Sequence, residues 1–401
     1  MLSKKWYAFG ISLFLSASVG CSTNFPLNNS QILQNNNVYG VYNTNTYYNI
    51  ELKWNNKSEL VELEKNKFDL YGMKLSTKTI RARVNEKQIN YLKSIGTKFE
   101  YIRETDATTS GLLPGYRTYQ QMKDWILQLS KQYPDIVTIQ DIGDTVLKIK
   151  GTSPNNDIWQ VIISNKSNKS PKPTSLFIAG LHPRELAPVE MLLKLINELV
   201  GKYGKDQYIT NLVDTREIHI VPMVNVDGRI MVENGNSWQR ENANGVDLNR
   251  DFECKYLPNL PPDRMLFNIK ANSIQPETKA IQDLYKVQKI NLFMDVHSYG
   301  EMFFWPVGYS TKDIPEVAAF KNVYTNSFKK INYEGGTSAQ ILYPTVGTSD
   351  DYAYIIHHTF GLGMEVGKSF RPNYQDVEKM WQQLYPHYLY LIKISDNPYN
   401  Q

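Results

Sequence analysis

Cysteine is nearly missing from this chain: two, Cys21 and Cys254, occur in 401 residues. If Cys21 belongs to a processed leader, Cys254 has no partner within the chain. No disulfide framework then exists, and a buried core must hold the fold. Charge of one sign is scarce as well. The surplus of Lys and Arg over Asp and Glu is only +4, and no basic block or stripe runs along the chain. That speaks against nucleic acid as a partner. Histidine is rare enough to weigh residue by residue: His182, His219, His297, His357, His358 and His387 are the six. Apolar and charged fractions are those of an ordinary globular protein, and the length accommodates one large domain with a smaller unit.

Lys4 and Lys5 precede an apolar run from Trp6 to Ala17, and Ser18-Val-Gly-Cys21 follows. A basic start, a short apolar stretch and small residues form an export signal over 1–21, too short to span a bilayer. Its end resembles a bacterial lipoprotein signal, in which Cys21 is acylated and forms the only membrane attachment; Ser18 is a weak start for that motif, so plain secretion stays open. Either way the expected location is the cell envelope or beyond. Residues 22–57, rich in Asn, Ser, Thr and Tyr, have no sustained period and are expected to form a flexible tether. Over 58–103 the pattern returns. Ile80, Ala82 and Val84 alternate as in a half-buried strand. Asn85 and Gln88 then cap a helix carrying Ile89, Leu92 and Ile95, and Lys98 to Ile102 reads as a second strand. The expectation is a small β-α-β unit.

From about Gly111 strand and helix patterns alternate, which predicts an α/β domain over 111–397. Thr118 and Gln121 cap a helix with Met122, Trp125, Ile126 and Leu129 on one face. Leu176 to Ala179 is a short apolar strand leading into His182-Pro-Arg-Glu185 and a further helix. Leu292 to Val296 is a second, leading into His297-Ser-Tyr299; a third, Gly361 to Val366, carries Glu365. Reactive side chains thus stand at or just past the carboxyl ends of buried strands, where open α/β sheets bind ligands.

His182 and Glu185 are three apart at a strand-to-helix turn, so both can face one point. A lone His-x-x-Glu is weak, and a single loop histidine is ordinarily just hydrogen-bonded. His297 after another buried strand supplies a third ligand, and two histidines with one carboxylate leave a zinc ion the open position that catalysis requires. Asp247 can orient one of the imidazoles. His219, His357 and His358 are read as structural.

Across 111–397 these residues resemble the zinc carboxypeptidases related to carboxypeptidases A and B. His182-Pro-Arg-Glu185 is similar to that family's first ligand motif, Arg240-Glu-Asn-Ala-Asn-Gly-Val-Asp-Leu-Asn-Arg250 to its substrate segment, and His297-Ser-Tyr299 to its third-ligand motif. Tyr343 with Gly347-Thr-Ser-Asp-Asp-Tyr352 resembles the mobile-tyrosine loop, and Glu365 stands at the general-base position. One residue more than usual separates Trp238 from Arg240, and Val226 replaces a common proline.

The resemblance implies a mixed, mostly parallel sheet flanked by helices, one zinc ion, and a peptide with a free C-terminal carboxylate as substrate. It implies that Glu365 deprotonates the zinc-bound water, and that zinc and Arg240 stabilise the oxyanion. Asn249 and Arg250 hold the terminal carboxylate, with Tyr343 closing over it. Arg184 and Tyr299, within the ligand motifs, also face substrate. Singly, each arginine would read as a solvated charge and Tyr343 as one tyrosine among many; Glu365 in an apolar strand is harder to explain as structure. Asp350 stands where basic-specific carboxypeptidase B types carry an acid, so C-terminal Lys or Arg is the expected preference. The plain alternative is a helix N-terminal acid. The unit over 58–103 resembles an inhibitory pro-domain and reads equally as a permanent accessory domain. The rivals are a cell-wall peptide carboxypeptidase or related deacylase, and a non-catalytic binding lipoprotein, which would predict loss of a ligand or of the base. The oligomeric state is left open.

Overall fold

A computed structural model describes residues 46–103, 111–253 and 274–401. The expected signal over 1–21, most of the tether, Cys21 and Cys254 lie outside the described residues.

The N-terminal unit contains β1 (Tyr47–Lys53), β2 (Asp69–Lys74), β3 (Thr79–Asn85) and β4 (Phe99–Tyr101), with helices Lys57–Lys65 and Glu86–Ser94. Its sheet is antiparallel throughout, in the order β2-β3-β1-β4. The alternation at Ile80, Ala82 and Val84 places all three in its core, and Asn85 with Gln88 forms the capping box. The expected β-α-β unit is therefore only the second half of a β-α-β-β-α-β module, and the tether cannot extend to 57. Strand β1 lies inside it, with Ile50 and Leu52 buried. Two alternating apolar residues in an Asn- and Tyr-rich stretch are too short a period to stand out alone; pairing with β3 over the whole of β1 is what fixes the strand.

The larger sheet contains β5 (Val137–Asp144), β6 (Asp157–Ile163), β7 (Thr174–Ala179), β8 (Glu217–Val221), β9 (Leu292–His297), β10 (Met302–Phe304), β11 (Glu334–Gly336) and β12 (Phe360–Glu365). Its order is β11-β10-β12-β9-β7-β8-β6-β5. The central run β12-β9-β7-β8 is parallel, and antiparallel neighbours lie toward the edges.

Both faces of that central run are covered, so its strands are mostly apolar on both faces rather than alternately. Phe177 and Ala179 turn to one face with helices Tyr119–Gln132, Leu186–Lys202 and Tyr374–Ile394. Leu176 and Ile178 turn to the other, with helices Pro276–Val287 and Ser349–His357. Burial of each Leu, Ile or Phe side chain among them contributes about 1.5–3 kcal/mol. Among the described residues, no helix is long and apolar enough to cross a membrane.

Candidate active site

The candidate ligands stand at or just past the ends of two adjacent parallel strands. After β7 the chain turns at Gly180, whose φ of +72° favours glycine and where a Cβ would stand 3.3 Å from the Met223 backbone. His182 follows, and Glu185 opens the helix Leu186–Lys202. His297 is the last residue of β9, and the register sets it beside Glu365, the last residue of β12.

Glu185 is the hub. His182 Nδ1 lies 2.8 Å from its Oε1 and His297 Nδ1 3.1 Å from its Oε2. One donor atom from each of the three lies within 4.8 Å of the others. The outward nitrogens are backed by carboxylates: His182 Nε2 by Asp247 Oδ1 and His297 Nε2 by Asp295 Oδ2, each at 2.9 Å. Imidazoles that ligate metals are oriented in this way. Two inward imidazole nitrogens and one buried carboxylate fit a single zinc ion with a position left for water. Another acidic trio, Asp141, Asp144 and Asp157, already surrounds Lys148 Nζ and is an ion-pair network.

The electrostatics follow from burial against neighbours. Burial opposes ionisation of Glu185, but the two imidazoles hold its carboxyl well below the usual range. Burial likewise disfavours a charged His297, yet Asp295 and Glu185 hold that imidazole well above its ordinary value. Glu365 is different. Burial, with Glu185 adding repulsion, pushes its carboxyl up to about 8, against a pull from His297 and Arg240. Its Oε2 is buried without a partner. This is a carboxylate tuned toward neutral pH beside a candidate ion site.

One cleft is lined by every site residue anticipated from the sequence except Asp247, which stands behind it. Asp247 bridges, its Oδ1 on His182 and its Oδ2 receiving Arg240 Nε at 3.0 Å and Nη2 at 2.8 Å. Asn249 sits between His297 Nε2, 3.1 Å from its Nδ2, and the Ser349 amide, which donates to its Oδ1. Asp350 lies in the first turn of helix Ser349–His357, so the plain alternative of a helix N-terminal acid applies to it too; burial keeps its carboxyl above the ordinary value.

The N-terminal unit covers the other side. Arg250 donates Nε and Nη2 to Glu64 Oε1 at 3.0 and 2.7 Å. Arg184, fully buried and 4.2 Å over the Phe370 ring, is forked onto both oxygens of Asp69. Tyr343 is packed into the N-terminal unit's own apolar cluster. Gly72 of β2 lies against Tyr299, where any Cβ would come within 2.6 Å of the phenol oxygen.

Sequence reasoning missed Glu64, Asp69 and Asp295. Nothing local marks the first two, whose partners lie far along the chain. Asp295 was legible: it is an acid inside the otherwise apolar Leu292-Phe-Met-Asp-Val, the same anomaly that singles out Glu365.

Comparison with known proteins agrees with this geometry. The profile of the zinc carboxypeptidase family matches residues 122–387. Bovine carboxypeptidase B is 26% identical over 266 residues, which cover 62% of this chain and 62% of that protein. A zinc carboxypeptidase from Saccharothrix mutabilis subsp. capreolus is 27% identical over 65% of this chain and 64% of its own length. The chain thus spans less than two thirds of these relatives. Among solved structures, carboxypeptidase A from Helicoverpa armigera superposes with a TM-score of 0.72 at 19% identity, covering 88% of this chain and 98% of that one. That share exceeds residues 111–401 alone, so the shared fold reaches into the N-terminal unit. With a family profile matching about two thirds of its length and a buried His-Glu-His donor set where strands β7 and β9 end, the chain belongs to the zinc carboxypeptidase family.

Proposed function

We propose that this chain is a zinc-dependent carboxypeptidase that releases the C-terminal residue of peptides, favours Lys and Arg there, and is held latent by its N-terminal unit. The observation that carries the reading is the convergence of His182, Glu185 and His297, with Glu365 at the adjoining strand end.

Zinc held by those three residues supplies Lewis acidity and a water of lowered pKa. Glu365 accepts the proton of the attacking water and returns it to the leaving amine, a task suited to a carboxyl raised toward neutrality. Arg240, anchored by Asp247, offers its charge to the carbonyl oxygen as negative charge develops there. Arg250 and Asn249 receive the terminal carboxylate, and Tyr343 closes over it. The pairing of Arg250 with Glu64 supports this assignment, because a carboxylate on that guanidinium is what a peptide C-terminus offers.

The same pairing supports latency. Glu64 and Asp69 engage Arg250 and Arg184, so a peptide must displace both acids before it can bind. The basic preference rests on Asp350, a buried acid in the cleft wall. Asp350→Ala is expected to slow release of C-terminal Lys more than of C-terminal Leu, and equal losses would remove that preference.

The direct test measures zinc content and hydrolysis of blocked dipeptides ending in Lys or Leu, before and after tryptic cleavage at Arg103. Stoichiometric zinc, chelator-sensitive turnover and a rise on cleavage are expected. A pure protein with no bound metal and no metal-dependent release would sink the reading. Residues 1–21 we read as an export signal with Cys21 as the acylated residue; fatty-acid labelling that survives Cys21→Ser would remove the anchor.

A further inference from the structure

The specificity end of the cleft holds more negative charge than Asp350 alone. Asp295, in the middle of β9, is 1% exposed and lines the same cleft as Asp350. Its Oδ2 accepts from the Ser349 hydroxyl and faces His297, while its Oδ1 is buried without any hydrogen-bond partner. Ser349 adjoins Asp350 in the chain, so one residue links the two acids. Among the described residues, neither carboxylate has a lysine or arginine partner.

The surroundings suit a long side chain ending in charge. Met302 and Phe304 line the cleft as apolar walls. Gly363 keeps the space beside the acid open: a Cβ there would stand 3.4 Å from Phe304 and 3.7 Å from Asp350 Oδ2. Asp295 Oδ2 is taken up by His297 and Ser349, but its Oδ1 is buried without a hydrogen-bond partner and Asp350 has no lysine or arginine beside it, so a cation entering the cleft can meet both. A neutral side chain of the same shape offers no charge to Asp350 or to Asp295 Oδ1, which is how a charged pocket rejects an isostere.

We propose that Asp295 is a specificity-determining residue that acts with Asp350 to select a C-terminal residue whose side chain ends in a cation. This rests on the carboxypeptidase reading and adds a second carboxylate to its substrate pocket. The contact with His297 means that Asp295 also touches the candidate metal centre, so the test must separate selection from support of that histidine.

The discriminating pair is a blocked dipeptide ending in arginine and the same dipeptide ending in citrulline, its neutral isostere. The full chain, cleaved after Arg103 with both fragments retained and loaded with zinc, is assayed on each. Wild type is expected to favour arginine, and Asp295→Asn to lower the arginine-to-citrulline ratio of kcat/KM by about tenfold or more. A weaker hold on His297 slows both substrates alike and cancels in that ratio. If both fall equally and the ratio is unchanged, Asp295 serves His297 alone and the proposal is overturned. Should Asp295→Asn fail to fold, Asp350→Asn carries the test. That variant is expected to keep a reduced preference for arginine, since Asp295 remains, and a ratio of one would overturn the proposal. Wild type that hydrolyses both substrates equally removes the basic preference altogether. Zinc-loaded wild type that hydrolyses neither ends the carboxypeptidase reading, and this proposal with it.

Discussion

The two sides of the cleft are assembled differently. On the metal side His182, Glu185, His297, Asp247 and Asp295 are all partnered from within the large α/β domain, at the ends of central strands and in one loop. On the recognition side Arg184 and Arg250 are partnered by Asp69 and Glu64, which arrive from the N-terminal unit. Arg240 is the instructive intermediate, since its partner Asp247 is seven residues away in its own loop. The candidate metal set is held by the fold that carries it, whereas Arg184 and Arg250 are held by acids from the N-terminal unit. A fully buried arginine cannot be left without a carboxylate, so one acid can depart only if another replaces it.

That contrast can be broken at its strongest point first. Glu365→Gln is expected to keep stoichiometric zinc while kcat falls by about 10²- to 10⁴-fold; lost zinc would mean that the residue belongs to the metal set. Next comes the interface. Joint Glu64→Gln and Asp69→Asn substitution is expected to raise activity of the uncut chain by about 10- to 100-fold, the scale of freeing two buried charge pairs, with little effect after cleavage at Arg103. An unchanged uncut rate would make the N-terminal unit an accessory. Asp247→Asn should weaken zinc affinity by about tenfold, read from competition with a chelating dye, since it backs His182.

The smallest effect is on stability. In metal-free protein Glu365 stays protonated to about pH 8, so between its unfolded value and about 8 the folded state holds the extra proton. His297, whose imidazole is also held up, acts in the same sense. These two groups lower stability as pH rises from about 5 to about 8, because they release protons on unfolding, while His357 and His387, held low by burial, act in the opposite sense. Tm measured across that window in chelator should decline, and Glu365→Gln should flatten the decline. A Tm that rises instead would contradict the environment described for Glu365.

Much of the fold was legible residue by residue in both parts of the chain. The capping pairs Thr118 with Gln121 and Asn85 with Gln88 form as read, since a capping box depends on a four-residue spacing alone. Strands β7, β9 and β12 were visible because burial on both faces gives each a short, mainly apolar run. Strand β1 was not, because two apolar residues among tyrosines and asparagines carry no period until β3 and β4 pair with them.

The sequence alone determined the candidate ligands, the candidate base Glu365 and the strands that end at them, since these depend on short spacings and on burial that leaves a compositional trace. Only the tertiary structure decided which carboxylate meets which cation. Glu64 with Arg250 and Asp69 with Arg184 join residues more than a hundred positions apart. Such pairings depend on how two separate hydrophobic cores come to rest against each other, and no local pattern of residue types encodes that.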